Sequence, residues 1–567
     1  MNAPMNPAPV AGAIARQTPC NDLDGPALDV LTASAATVRE LIDARAAALG
    51  ARPYLIPAAE GGARPDDVAA ALTFAELRDD CRELARRFAQ AGLQPGDIVS
   101  VCMGNGIQSA RLILAAMYSG LIVNPINLLC QPAQMQYIVE HSDTRLVFVS
   151  EVMLPAVQAA LDAARAQGMT RSVALVCTSP DASASPEIPV LDGPRAPASP
   201  DLRDVALLMY TSGTTGVPKG VLLTHANLLT NATFISAEHR LTHDDRVLAS
   251  LPLYHINGLV VTLLTPLFHG GSVVMAPRFS ARTFWHDVCT SRCSWINVVP
   301  TIVAYLLEAP APERAVLAGL RFCRSASAAL PAEHHRAFEA RFGIGIIETM
   351  GMTETAAPVF SNPYDASRRR IGSIGLPSGA EAKVVRRDGS QTEPGETGEL
   401  VLRGAQVMRG YYKRPDETAD AFTADGWLRT GDLGHRDEDG YFYISGRAKE
   451  LIIKGGENIA PREIDEALLR HPGVLEAAAV GVPDAAYGQE IVAFVVVRGA
   501  GGPDGSDTAD ATGSVDGVAY MPPDAAALRE HCLKTLGRYK TPKAFHFVTD
   551  LPRGPSGKVQ RLKLLQR

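Results

Sequence analysis

Between residues 210 and 220 the chain reads Tyr210-Thr-Ser-Gly-Thr-Thr-Gly-Val-Pro-Lys-Gly220, with five hydroxyl side chains, three glycines and a lysine. It follows the apolar run Val205-Ala-Leu-Leu-Met209. These residue types suit the holding of phosphate oxygens. Glycines let several backbone N–H groups converge on one anion, hydroxyls add donors, and the lysine adds a mobile positive charge. A solvated turn would also use Ser, Thr and Gly, but has no need of so many donors beside a lysine. The stretch is not a Walker A loop. Counted from Gly213, that pattern ends in glycine, lysine and Ser/Thr, whereas this chain has Pro218, Lys219 and Gly220 and lacks the magnesium-binding hydroxyl.

The elements that must position such a loop are those of an α/β protein. Phe74 to Phe88 carries apolar residues at helical spacing with Thr73 as its N-cap, and Asp97-Ile-Val-Ser-Val-Cys102 follows as a buried strand. This alternation predicts α/β architecture. Gly104-Asn-Gly-Ile-Gln-Ser-Ala110 imitates a dinucleotide fingerprint, but no Asp or Glu lies between Ala110 and Val139 to hold a ribose. A tight strand-to-helix turn explains those glycines.

A length of 567 residues exceeds what one core fills, so several subdomains are expected. Residues 1–30, rich in Ala and Pro, read as a disordered tail. Residues 31–448 form the large domain, and 449–567 a small domain containing a flexible loop at 499–523, rich in Gly, Asp, Ala and Ser. The net charge of −7 and the absence of a long basic cluster argue against nucleic acid as a partner. No apolar run is long enough to span a bilayer and no secretory signal opens the chain, which predicts a soluble, cytoplasmic protein without membrane insertion. The nine cysteines lack CxxC spacing and read as reduced thiols; Cys289 and Cys293, four apart, could share a helix face.

The loop, with five further segments, resembles the adenylate-forming superfamily of acyl-CoA synthetases, luciferases and peptide-synthetase adenylation domains. The resemblance runs from about residue 35 to the end. It implies a large multi-subdomain N-terminal α/β domain with a small, mobile α+β C-terminal domain, and makes Thr211, Ser212, Gly213, Thr214, Thr215, Gly216 and Lys219 the polyphosphate holder for ATP. Leu251-Pro-Leu-Tyr-His-Ile-Asn-Gly258 matches the segment at the acyl pocket, where His255 gates the carboxylate's approach: a lining residue first and a catalytic candidate second. In Thr349-Met-Gly-Met-Thr-Glu354, the resemblance assigns Thr349, Met350 and Gly351 to adenine, Thr353 to a phosphate and Glu354 to Mg2+, which wants carboxylate oxygen. Most relatives have Tyr where Met350 stands, so a thioether would cover the ring instead.

In Trp427-Leu-Arg-Thr-Gly-Asp432 the family's Asp accepts from both ribose hydroxyls, and Arg447 contacts ribose or phosphate. Lys449 corresponds to the hinge. Gly455 and Gly456 belong to the loop that approaches the pantetheine arm of coenzyme A. Pro552-Arg-Gly-Pro-Ser-Gly-Lys-Val-Gln-Arg561 matches the C-terminal lysine motif, with Lys558 bridging the attacking carboxylate and the α-phosphate.

The implied activity is an AMP-forming acid-CoA ligase: ATP plus a small-molecule carboxylic acid gives acyl-adenylate and pyrophosphate, then coenzyme A takes the acyl group. Arg324-Ser-Ala-Ser-Ala-Ala-Leu330, Met352-Thr-Glu-Thr and Ser361-Asn-Pro363 resemble the oxalate-CoA ligase branch. That suggests a short acid with a second anionic group, of the oxalate, malonate or sulfoacetate type, met by Asn257, Ser325, Ser327, Met352 and Thr355. The alternatives are a carrier-protein loader, a medium-chain or aryl acid-CoA ligase, a luciferase-like oxygenase and a non-catalytic nucleotide binder. The resemblance admits a homodimer without fixing the oligomeric state.

Overall fold

In the computed structural model, residues 35–58, 71–211, 217–498, 514–515, 518–519, 522–553 and 559–565 are described. The expected tail at 1–30, most of the expected loop at 499–523, Ser212 to Gly216 and Lys558 lie outside them. Two large sheets build the N-terminal part. One has nine strands, of which Ile346–Met352, Phe322–Ser325, Trp295–Val298, Arg246–Ala249, Ser272–Met275 and Pro53–Pro57 run parallel in that order, with antiparallel strands at both edges. The other has seven strands, among them the parallel neighbours Ile122–Pro125, Ile98–Cys102 and Leu146–Val149.

Parallel strands need crossover helices on both faces, so their sequences are apolar throughout. The helix Ile107–Tyr118, apolar on almost every side, is buried along nearly its whole length in the main core. The helix Phe74–Gln90 begins at Thr73 as its spacing predicts. Glu76 N–H donates to Thr73 Oγ1 at 3.2 Å and Thr73 N–H to Glu76 Oε2 at 2.8 Å, a reciprocal cap contributing about 1 kcal/mol. The expected pairing of Cys289 and Cys293 on one helix face fails. The helix Phe284–Thr290 ends before Cys293, and Arg292 between them has φ +52°, which breaks the helical path.

A four-stranded antiparallel sheet, Ala380–Val385, Gly398–Gly404, Leu428–Arg436 and Phe442–Arg447, follows. From Ile452 onward five strands form their own sheet, in which Gly488–Val497 pairs antiparallel with Val474–Asp484 and parallel with Ala544–Phe547, and Ser514–Val515 pairs separately with Val518–Ala519. Its core is separate, built on Ile452, Ile464, Leu468, Ile491 and Leu528. The two parts touch through Arg553, whose Nη1 donates to Thr301 Oγ1 at 2.8 Å, and through the Arg498–Glu308 ion pair. Among the described residues no helix is long and apolar enough to cross a membrane.

Candidate active site

The strands Val205–Thr211 and Lys219–Thr224 pair antiparallel with Thr211 opposite Lys219, so these two residues sit at the mouth of the hydroxyl-rich loop. Lys219 Nζ lies 4.8 Å from the centroid of the Tyr411 ring, and Tyr411 Oη–H donates to Glu354 Oε1 at 2.9 Å. Tyr411 arrives on the edge strand Gly410–Tyr411, whose partner is Val221–Leu222. Loop base, tyrosine and carboxylate thus form one cluster.

Glu354 occupies a short 3₁₀ turn, Thr353–Thr355, after the strand Ile346–Met352. The strand must pass close to the next one here: a Cβ on Gly351 would lie 1.9 Å from the Ala357 carbonyl oxygen, so only glycine fits. Glu354 is buried, and burial lifts its carboxyl above the usual range while Tyr411, Arg447 and Lys219 oppose the shift. Thr353 is buried beside it. One oxygen of Glu354 is engaged by Tyr411, and no group of three His, Cys, Asp or Glu is gathered among the described residues. A single carboxylate of this kind fits Mg2+, which keeps waters and phosphate oxygens as most of its ligands.

Asp432 and Arg447 face each other across paired strands, with Arg447 Nε 2.9 Å from Asp432 Oδ1. Asp432 is 6% exposed, and its own N–H donates to Thr430 Oγ1 at 3.0 Å. Both side chains line a cavity of about 260 Å³ together with Ser327, Thr349, Met350 and Gly351. Its opposite wall comes from the C-terminal part: Asp465, Arg553, Val559 and Arg561. Lys449 sits exposed in the turn after the strand Phe442–Arg447. Gly455 and Gly456, with φ +56° and +89°, turn the chain between Ile452–Lys454 and Glu457–Ile459 and do not line this cavity.

The acyl-pocket residues separate into two groups. His255 is partly exposed at the entrance to the π-helix Asn257–Leu264, and its desolvated ring is pushed down to about 4, so it is neutral at physiological pH. Asn257 Nδ2 donates to Ser327 Oγ at 3.2 Å. Met352 is half-buried against the main core. Thr355 departs from the expectation that it meets substrate. Thr355 is 0% exposed, with its Oγ1 3.1 Å from the Met352 carbonyl oxygen and 2.8 Å from that of Ala357, so its hydroxyl belongs to the turn. Ser325 is also fully buried, and its Oγ meets no hydrogen-bond partner among the described residues.

Three residues to which the sequence reading gave no site role matter here: Tyr411, Arg324 and Glu348. Glu348 interrupts the apolar run Ile346-Ile347, a signal that could have marked it. It is 1% exposed, it lines the cavity, and neither carboxyl oxygen meets a partner at hydrogen-bonding geometry among the described residues. Burial raises it to about 7, against the pull of the Arg462 cation and the Leu330 N–H and with a small push from Glu466. The folded carboxyl therefore retains a proton that the unfolded chain releases above 4.5, so stability falls as pH rises from about 4.5 to 7 and stays low above that. Glu348→Gln is expected to raise stability at pH 8 by on the order of 2 kcal/mol and to flatten that slope in thermal melts. An unchanged slope would assign the pH dependence elsewhere.

The AMP-binding enzyme family pattern matches residues 54–412, and its AMP-binding enzyme C-terminal domain pattern matches 463–558. The sulfoacetate–CoA ligase of Cupriavidus necator is 61% identical over 531 residues, 93% of this chain and 97% of that protein. The oxalate–CoA ligase of Arabidopsis thaliana is 34% identical over 86% of this chain and 92% of that one. Among solved structures, ATP-bound MatB from Rhodopseudomonas palustris matches with a TM-score of 0.79 at 30% identity, covering 94% of this chain and 98% of its own. Apo MatB, over the same shares, gives 0.70. The chain therefore belongs to the adenylate-forming AMP-binding enzyme family, as an AMP-forming acid–CoA ligase that uses ATP and coenzyme A.

Proposed function

We propose that this ligase activates a short acid carrying a second anionic group, with sulfoacetate as its substrate. The observation that carries the reading is the 61% identity to the Cupriavidus necator sulfoacetate–CoA ligase across nearly the whole of both chains. The polar entrance to the acyl region at His255, Asn257 and Ser327 agrees with a small polar acid better than with a long alkyl chain.

A carboxylate is a poor nucleophile toward a triphosphate because like charges repel, so positive charge must stand where the new negative charge accumulates. Lys558 bridges the acid's carboxylate and the α-phosphate, and the donors of Thr211 to Gly216 with Lys219 hold the leaving pyrophosphate. Asp432 accepts from the ribose hydroxyls, Arg447 orients that carboxylate, and Thr349, Met350 and Gly351 cover adenine. Thr353 donates to a phosphate. Mg2+, held by Glu354, would neutralise polyphosphate charge. Attack at phosphorus forms the acyl–O–P bond and breaks the bond to pyrophosphate. The small domain, 449–567, then turns about Lys449 relative to 31–448, withdraws Lys558 and presents Gly455 and Gly456 to the thiol of coenzyme A. The orientation in this structure suits the first half-reaction: Arg553 and Val559, which flank the Lys558 segment, line the cavity, and the match to ATP-bound MatB exceeds that to the apo form. A cytoplasmic location fits the need for ATP and coenzyme A.

A panel of sulfoacetate, oxalate, malonate, propionate and benzoate, assayed with ATP for pyrophosphate and then thioester, tests the reading. Sulfoacetate is expected to give the highest kcat/KM and to require free coenzyme A for thioester release. A monoanionic acid turning over faster would overturn the substrate proposal. Adenylate that free coenzyme A never captures would instead favour a carrier-protein acceptor.

A further inference from the structure

The strand Phe322–Ser325 holds a charge where its neighbours are apolar or small: Arg324 is 1% exposed. A buried guanidinium ordinarily comes with a carboxylate, as Arg111 does in this chain, 2.9 Å from Asp80. Among the described residues no ion pair holds Arg324. Its Nη1 donates to two neutral amides, Asn257 Oδ1 at 2.9 Å and Asn297 Oδ1 at 2.6 Å, and its Nε is buried without a hydrogen-bond partner. Glu348 does not compensate it from the adjoining strand. Register sets Arg324 beside Ile347 and Ser325 beside Glu348, so the two charges project from opposite faces of the sheet. Burial lowers the guanidinium to about 9, which leaves it charged at neutral pH. The field is felt nearby, where the ring of His239, stacked on Phe322 at 5.2 Å, is held down to about 3 by burial and next by Arg324.

The hydrogen bonds around this cation all point one way. Asn297 Nδ2 donates to Asn257 Oδ1 at 3.2 Å, alongside the arginine, which fixes the Asn257 amide with its oxygen inward. Its Nδ2 must then point outward, to Ser327 Oγ at 3.2 Å. Ser327 Oγ accepts there, so its own proton is directed to another acceptor. Ser327 lines the cavity beside Thr349 and Met350, and its φ of +74° holds a non-glycine residue in the strained left-handed region. A cation at one end, a polarised hydroxyl proton at the other and aligned dipoles between them favour an anionic oxygen at the open end.

We infer that Arg324 is a positioning residue that selects acids bearing a second anionic group, acting through Asn257 and Ser327 without touching the substrate. The inference rests on the dianionic-acid reading above and names the charge that would enforce it. An uncompensated buried cation is unfavourable for the free protein, and the anion's arrival supplies the missing counter-charge.

The experiment compares sulfoacetate with propionate in wild type, Arg324→Gln, Arg324→Lys and Ser327→Ala, by ATP-dependent pyrophosphate release, with thermal melts on each. Glutamine keeps a donor for the amides and removes the charge. For Arg324→Gln, kcat/KM with sulfoacetate is expected to fall about 10- to 100-fold, mostly through KM, with propionate little changed. Arg324→Lys should recover part of the ratio, and Ser327→Ala should lower it in the same direction. Should Arg324→Gln misfold, Ser327→Ala at the open end reads the same ratio. Equal loss with both acids, or an unchanged ratio in a wild-type background that prefers sulfoacetate, would overturn the inference alone. A wild type indifferent to the second charge would overturn the substrate reading and the inference with it.

Discussion

Lys558→Ala is expected to lower acid-dependent pyrophosphate release by about 10³-fold while slowing thioester formation from supplied acyl-adenylate less than about tenfold. The asymmetry follows from the two ends of the segment that carries it. Arg553 and Val559 form an antiparallel bridge, and both line the cavity opposite Asp432 and Arg447. The described cations on that wall are already committed. Arg553 pairs with Glu476 and donates to Thr301, Arg561 pairs with Asp465, and Arg462 pairs with Glu466 and donates to the Ile444 carbonyl, so none is mobile enough to follow a transferring phosphoryl group. A lysine in the glycine-bearing segment between Arg553 and Arg561 is the proposed source of charge for the attacking carboxylate. Once the adenylate has formed and the small domain has turned, that charge has no further task. Rapid-quench measurement of adenylate and thioester separates the steps, and equal loss in both would remove the two-orientation mechanism.

How far the sequence announced this site depended on the distance over which each signal acts. The cap of Thr73 on Glu76 spans three residues, and the helix it starts is written in the same few positions. The α/β class was equally legible, because parallel strands buried on both faces leave short apolar runs between amphipathic helices. The motif residues on the N-terminal side were legible through resemblance, since their spacing is distinctive; what each one touches was not. Tyr411 meets Glu354 from 57 positions away, and Arg324 meets Asn257 from 67, both through strand order that no local pattern encodes. Thr355 illustrates the converse error. Its hydroxyl looked available in the sequence, but the sharp turn around Ala356 and Ala357, at φ +57° and +112°, brings backbone carbonyls against it. Cys293 failed for a related reason, as the helix stopped three residues early at Thr290.

Asp432→Ala is expected to weaken AMP binding by about 10² to 10³, because one carboxylate would lose charge-assisted bonds from two ribose hydroxyls. The strand pairing that sets Asp432 against Arg447 holds the carboxylate 2.9 Å from Nε, and its N–H is tied to Thr430, so its direction is fixed before nucleotide arrives. Such preorganisation lets the hydroxyls bind without first ordering the acceptor. Asp432→Asn keeps the shape and one acceptor oxygen but loses the charge, and should fall between the two. Truncation also leaves Arg447 without this partner at the cavity wall, so a raised Kd alone would not prove ribose contact. The decisive comparison is with 2′-deoxy- and 3′-deoxy-ATP. Wild type should bind each more weakly than ATP, and the alanine variant should scarcely distinguish the three, because the deleted hydroxyl and the deleted carboxylate belong to one bond. If the deoxy penalty persists undiminished in Asp432→Ala, the ribose sits elsewhere and Asp432 serves chiefly to hold Arg447.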